Sequence, residues 1–289
     1  MATKATLLVS GELGHDLLVN LFKYIDIEFV ATDKKSLKII DFARLNNIPI
    51  FTGNPRNGML SSFIGEDFKS ELLLSINYLF LIEEDFINKF LYPINFHGSL
   101  LPRYRGRTPH VWAIINNEHE TGITAHFIDN GCDTGDIVLQ KNIAISYDDT
   151  GFSILEKYKM AYPEMVKTVI DLYVNNNIKR IKQDDSIATY YGKRVPEDGQ
   201  IDWGWQKERI RNWVRALAFP YPGAFTFFED KKIIIDKISY CKNGFSNEIA
   251  NGTILETNPD LIIKTSNGAI KIETMRVEDV EFVKNKILK

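Results

Sequence analysis

Short β-branched runs alternate with amphipathic stretches from residue 6 to residue 97, and few architectures accommodate that rhythm. Residues 6–10, 27–32, 48–51, 71–77 and 93–97 read as strands, and residues 13–24 and 37–46 as helices between them. Strands joined through amphipathic helices build βαβ units. The first part of the chain is therefore expected to be α/β, a Rossmann-like, doubly wound, mainly parallel sheet with helices on its faces. Gly11 and Gly14 follow the first strand and open the first helix. They allow two readings: backbone N–H groups that receive a phosphate, or plain turn geometry.

A chain of 289 residues has room for about two domains of ~100–200 residues, and a 44% hydrophobic content is enough to bury both cores. Residues 148–175 form one long amphipathic stretch, read as a helix kinked at Pro163. From 182 to 198 the chain turns polar, beginning Gln183-Asp184-Asp185-Ser186. A linker is expected there, dividing the chain into 1–182 and 183–289. The second part holds a helix over 207–218 and short strands punctuated by Asn243-Gly244, Asn251-Gly252, Asn258-Pro259 and Asn267-Gly268. That spacing suits a smaller β-rich domain, an open, OB-like barrel. Trp203, Trp205, Trp213, Phe219 and Tyr221 are expected as core between its barrel and its helix.

Lys and Arg number 35 against 38 Asp and Glu, a net charge of −3. Residues 186–289 carry 16 and 14 of them, and residues 1–185 carry 19 and 24. A domain that grips tRNA or DNA would hold a far larger basic excess, so no nucleic-acid partner is expected. No apolar run reaches the ~18 residues of a membrane span, and the opening Met1-Ala2-Thr3-Lys4 leads into a strand rather than a signal-peptide core. Cys132 and Cys241 are too few for a disulfide framework or a CxxC knuckle. A cytoplasmic protein follows as the expectation.

Chemistry concentrates in Ile94-Asn95-Phe96-His97-Gly98-Ser99-Leu100-Leu101-Pro102-Arg103-Tyr104-Arg105-Gly106-Arg107-Thr108-Pro109. On a strand, Asn95 and His97 share one face while Phe96 turns to the apolar side. The carboxyl ends of strands at the switch point of a doubly wound sheet are where ligands bind, and Gly98 lets the backbone turn there. Thr108-Pro109 reads as N-cap and first residue of a helix that fixes the preceding loop. Residues 121–127 alternate as a half-buried strand with Thr124 and His126 on one side, and lead to Asp133 in a glycine-flanked loop.

The run Asn95-x-His97-Gly98-Ser99-Leu100-Leu101-Pro102-x-Tyr104-x-Gly106, then Thr121-Gly122-Ile123-Thr124 and Asp133-Thr134-Gly135-Asp136, resembles the formyltransferases that use N10-formyltetrahydrofolate. Tyr190-Tyr191-Gly192-Lys193-Arg194, Ile201-Asp202-Trp203, the stretch Ile210-Arg211-Asn212-Trp213-Val214-Arg215-Ala216 and Pro220-Tyr221-Pro222-Gly223-Ala224 are similar to the C-terminal domain shared by methionyl-tRNA formyltransferases and enzymes that formylate amino groups on nucleotide-linked sugars. Gly98 and Arg107 are closer to the sugar-nucleotide branch, since the tRNA enzymes usually have Pro and Ala at these places.

The resemblance puts the catalytic trio on Asn95, His97 and Asp133. Formyl transfer to an amine needs a donor at a developing oxyanion, a proton acceptor and an orienting group for the imidazole. Asn95 and His97 suit the first task; the second falls to His97 or to Asp133 itself. The resemblance further implies a folate slot near Phe80, Leu81, Ile82 and Asp129 and a homodimer; Arg103, Arg105 and Arg107 are read as phosphate contacts because guanidinium forks suit phosphate, the other reading being a solvated loop with surface salt bridges. The reaction it implies is formylation of a dTDP- or UDP-linked amino-deoxysugar for cell-surface glycan synthesis. Methionyl-tRNA formyltransferase and formyltetrahydrofolate hydrolase are the alternatives. No metal is expected, because His97, His126, Cys132 and Asp133 lack a metal-ligand spacing. His15, His110 and His119 receive no role.

Overall fold

A computed structural model describes residues 3–289, so Met1 and Ala2 of the opening read above lie outside it. In chain order the elements are β1 (Lys4–Val9), α1 (Gly11–Leu21), β2 (Asp26–Thr32), α2 (Leu37–Leu45), β3 (Ile50–Thr52), α3 (Met59–Ile64), β4 (Ser70–Ile76), α4 (Glu84–Ile87), β5 (Phe90–His97) and β6 (Arg105–Gly106). They continue as α5 (Pro109–Ile115), β7 (Glu120–Phe127), β8 (Ile137–Ala144), α6 (Gly151–Val174), β9 (Tyr190–Tyr191), α7 (Lys207–Leu217), β10 (Ala224–Phe228), β11 (Lys231–Cys241), β12 (Ile254–Glu256), β13 (Leu261–Thr265) and β14 (Gly268–Arg276).

The chain packs as two compact units. The first comprises the chain up to Gly106, Gly122–Ile143 and Lys157–Tyr190. The second comprises Arg107–Thr121, Ala144–Glu156 and Tyr191–Lys289.

The first unit is built on a seven-stranded sheet in the order β3-β2-β1-β4-β5-β7-β8. β3, β2, β1, β4 and β5 run parallel, and β7 pairs antiparallel with β5. The doubly wound sheet thus carries its reversal of strand order between β1 and β4. The central strands are apolar on both faces because both are covered: Leu7, Leu8, Val9, Leu72, Leu73 and Leu74 are fully buried. Gly14 brings α1 close to β1, since a Cβ there would stand 3.0 Å from Val9 Cβ and 3.2 Å from its carbonyl carbon. Gly11 takes the left-handed φ of 65° and gives its N–H to Ser36 Oγ at 2.9 Å. Of the two sequence readings, the turn is the one its N–H serves. α6 continues through Pro163 without interruption.

The second unit centres on the antiparallel sheet β10-β11-β14-β13-β12. Ile233, Ile235 and Ile238 of β11 are buried, and register shifts around Lys237 bend that strand into the curl of an open barrel. α7 buries Ile210, Trp213, Val214 and Leu217. Trp203 and Trp213 are core as expected, with Nε1 groups bonded to Thr226 Oγ1 at 3.0 Å and the Gly199 carbonyl at 3.1 Å. Phe219 is not: its ring is 70% exposed. Thr108 stands at the N-cap of α5 but makes no capping bond, because its φ of 49° turns the residue left-handed. Among the described residues no helix is long and apolar enough to cross a membrane.

Candidate active site

Asn95 and His97 leave β5 on one face, opposite His126 and Thr124 of β7 in the antiparallel register. Residues facing one another in such a pair share a side of the sheet. An amide and two imidazoles are therefore gathered by register alone. Asn95 Nδ2 donates to His126 Nε2 at 3.1 Å, and His126 Nδ1–H donates to the Phe127 carbonyl at 2.7 Å. A carbonyl only accepts, so His126 carries a proton on Nδ1, and Nε2 is the nitrogen that meets the Asn95 amide. The second Asn95 amide N–H has no partner among the described residues.

His97 is 7% exposed and donates Nε2–H to the Tyr104 carbonyl at 2.7 Å. Its Nδ1 lone pair then faces Asp133 Oδ2 at 3.5 Å. The other carboxylate oxygen, Oδ1, lies 3.6 Å from His126 Nε2. Asp133 Oδ2 also accepts the Gly106 N–H at 2.9 Å. Burial pushes this carboxyl up, but His97, His126 and the Gly106 N–H outweigh it and hold Asp133 below the usual carboxylate range. Burial drives His97 the other way, below the ordinary histidine value, against the pull of Asp133 and the Tyr104 carbonyl and with the help of His126. The site at neutral pH is an ionised carboxylate beside a neutral imidazole whose free nitrogen can take a proton.

The loop after β5 is tied down by its own motif. Thr124 Oγ1 donates to the Ser99 carbonyl at 2.6 Å and accepts the Leu101 N–H at 3.1 Å. Gly122 leaves room for Leu100, whose Cδ2 would sit 2.4 Å from a Cβ there. Ser99 Oγ donates to the Arg103 carbonyl at 2.7 Å, and Tyr158 donates its hydroxyl to the Gly98 carbonyl at 2.7 Å. Asp133 itself has a left-handed φ of 57°. Two residues on, Gly135 has no space for a side chain, because a Cβ would stand 1.9 Å from the Phe127 carbonyl oxygen.

The remaining expected residues are distributed as follows. Asp129 is exposed and staples its own loop, accepting from Gly131 N–H at 3.1 Å and Thr134 Oγ1 at 2.6 Å. Phe80 and Ile82 are half-buried after β4, with Phe80 edge-on to Tyr78, while Leu81 is 56% exposed. Ile82 and Ile128 pack on the same buried cluster around Phe86 and Phe90. Arg103 and Arg107 are exposed. Arg105 is 1% exposed, its guanidinium bonded to Gln183, Asp185 and Tyr190. His126 is the site member the sequence left without a role; the alternation that put it beside Thr124 on one strand face was its only signal.

This fold and this amide, imidazole and carboxylate constellation are those of an acyl-transfer enzyme. Residues 23–170 match the formyl transferase family and residues 193–285 match the formyl transferase C-terminal domain, and the chain belongs to that family of formyl-transferring enzymes. It is 36% identical over 247 residues to the bifunctional polymyxin resistance protein ArnA of Wigglesworthia glossinidia brevipalpis, an alignment that covers 85% of this chain and 36% of that protein. The chain thus spans about a third of that relative's length. Among solved structures, WlaRD, a sugar 3N-formyl transferase determined in the presence of dTDP and 5-N-formyl-THF, is similar at a TM-score of 0.71 and 25% identity over 94% of this chain and 98% of that one. The N-formyltransferase of Helicobacter canadensis in complex with folinic acid and dTDP-3-aminofucose shares the fold at a TM-score of 0.72 and 23% identity, over 94% of this chain and 99% of that one.

Proposed function

We propose that this enzyme transfers the formyl group of N10-formyltetrahydrofolate to the amino group of a dTDP- or UDP-linked 4-amino-4,6-dideoxyhexose, a step toward a cell-surface glycan. The observation that carries the reading is the Asp133 carboxylate held between His97 and His126, with the Asn95 amide on the same strand face. The similarity to WlaRD supports a nucleotide-linked sugar as acceptor.

The folate supplies the formyl group; the chain's residues supply polarity and proton handling. Asn95 offers its second amide N–H to the oxygen that gains charge as the amine attacks. His97 Nδ1 takes the amine's proton, the imidazolium so formed is stabilised by Asp133 3.5 Å away, and the proton is returned to folate N10 as the C–N10 bond breaks and the formyl group stays on the amine. His97 adds to oxyanion stabilisation only in that protonated state, because its Nε2–H is already given to Tyr104. Phe80 and Ile82 offer the apolar wall a pterin requires, and Asp129 shapes its rim by fixing the adjoining loop. This reading assigns phosphate oxygens to the exposed Arg103 and Arg107, whose guanidinium forks suit them. Arg105 is spent on internal partners, so this reading gives it no phosphate. Cytoplasmic location and a homodimer belong to the same reading, and light scattering of the purified protein checks the second.

The deciding experiment incubates the enzyme with N10-formyltetrahydrofolate and a panel of dTDP- and UDP-aminosugars, with methionyl-tRNA and water as competing acceptors. Formylated sugar nucleotide is the expected product. Formyl-methionyl-tRNA alone, or release of formate alone, would overturn it.

A further inference from the structure

We propose that Gln183 is a positioning residue for formyl transfer: its carboxamide holds the backbone of the Asp133 loop so that the carboxylate stays between His97 and His126. The inference rests on the reading of Asp133 as part of the catalytic set.

Gln183 Nε2 donates to two carbonyls of that loop, Asp133 O at 2.9 Å and Gly135 O at 2.7 Å. Its Oε1 accepts from Arg105 Nε at 3.2 Å and Nη2 at 2.7 Å. Carbonyls only accept and a guanidinium only donates, so the amide has one possible orientation, dictated by Arg105. Arg105 is fixed in turn by Asp185 Oδ1 at 2.7 Å and by its own N–H to the Thr189 carbonyl at 2.9 Å. The residue after Arg105 is Gly106, whose N–H reaches Asp133 Oδ2 at 2.9 Å. One short segment therefore grips Asp133 twice, at its main-chain carbonyl through Gln183 and at its carboxylate through Gly106. The grip acts on a residue in the left-handed region, Asp133 at φ 57°, and fixes the direction in which its carboxylate leaves the loop. Gln183 is itself moored, since Ile181 two residues earlier exchanges both backbone bonds with Ile137 at 2.7 and 2.9 Å. Removing the two donors frees the loop to relax and takes the carboxylate away from His97 Nδ1.

Gln183→Glu keeps an acceptor for Arg105 but turns an anionic oxygen on two carbonyl oxygens. Gln183→Met removes the polar atoms at the same length. Both full-length variants are compared with wild type and Asp133→Asn in turnover of N10-formyltetrahydrofolate and the accepted amino sugar nucleotide, and in an NMR titration of the His97 ring without substrates. The expected result is a kcat lower by about tenfold to a hundredfold with KM changed by less than about twofold. In Gln183→Met, which adds no charge, the His97 titration should move to lower pH, because the imidazolium loses its counter-ion while His126, the other titratable group facing it, stays in place. A folded Gln183→Glu or Gln183→Met enzyme with wild-type kcat and an unmoved His97 titration overturns the proposal. So does a fall in kcat of Gln183→Met without that movement, which is what a purely structural glutamine would give. Near-normal turnover by Asp133→Asn sinks instead the catalytic reading on which the proposal stands.

Discussion

Asp133 is held below the usual carboxylate range beside two imidazoles, each of which already gives one nitrogen to a backbone carbonyl. His126 donates from Nδ1 to the Phe127 carbonyl, and His97 donates from Nε2 to the Tyr104 carbonyl. Each ring thereby turns its remaining nitrogen toward the carboxylate. Truncating Asn95 to Ala removes the proposed oxyanion donor and should lower kcat by about 10²–10³ with little change in the KM of the proposed folate donor, measured by steady-state turnover. The same variant leaves His126 Nε2 without its amide partner, so a rescue by Asn95→Gln that reaches the ring but not the substrate would separate the two duties. With His97 pushed below its ordinary range, the acid limb of kcat/KM should fall below pH 6.5, since the neutral ring is the working form and protonation removes it. An acid limb above that value contradicts the assignment.

At the scale of elements, the site is an edge where β5 and β7 meet a glycine-bounded loop. Gly135→Ala brings a Cβ into the Phe127 carbonyl oxygen, which is backbone and cannot yield. The loop must shift as a whole, so turnover should drop by about a hundredfold, and urea unfolding should show a loss of about 1–3 kcal/mol. Retained activity in this variant would mean that the Asp133 loop needs no fixed path. Much of the element pattern was legible in the residues. Fully apolar runs such as Leu72-Leu73-Leu74 announce strands covered on both faces, and the period-two spacing of Asn95 and His97 announces their common direction. What stayed hidden depends on pairings distant in sequence. Opposing Asn95 to His126 takes the β5–β7 register, which no local spacing carries. Gln183 lies in a polar stretch that reads as linker, yet polarity there reflects backbone groups to be satisfied: its amide serves two carbonyls, and the nearby Asp184 caps a turn through the Ser186 N–H. Thr108-Pro109 has the residues of a helix start without the geometry, because the left-handed Thr108 turns its hydroxyl out of capping reach.

At the scale of the whole molecule, acid should unfold this protein earlier than its carboxylates alone would require. Burial pushes His110 down to about 4, and His97 is also held below its ordinary value. Both take up protons more readily once unfolded, so each contributes stability above about pH 6.5 that is lost as the pH falls toward the folded value. Thermal midpoints measured from pH 7 to pH 4 should decline, and His110→Phe should flatten that decline between pH 6.5 and about 4. An unchanged slope in the variant would show that His110 is not neutral in the fold. The interleaving of the two units along the chain bears on synthesis. β1 to β8 are all translated by Ala144, so the first sheet has its strands early. Arg107–Thr121 and Ala144–Glu156 have been made by then too, but they belong to the second unit, where Arg211 bonds the Tyr147 carbonyl, Arg215 bonds the Asp149 carbonyl and Asn212 bonds Asn117. Val111, Ala113 and Ile114 of α5 likewise wait for α7. On the ribosome these segments emerge well before their partners, and a nascent chain stalled near residue 182 should expose them to chaperones and proteases, while one released after α7 and the β10–β14 sheet should not.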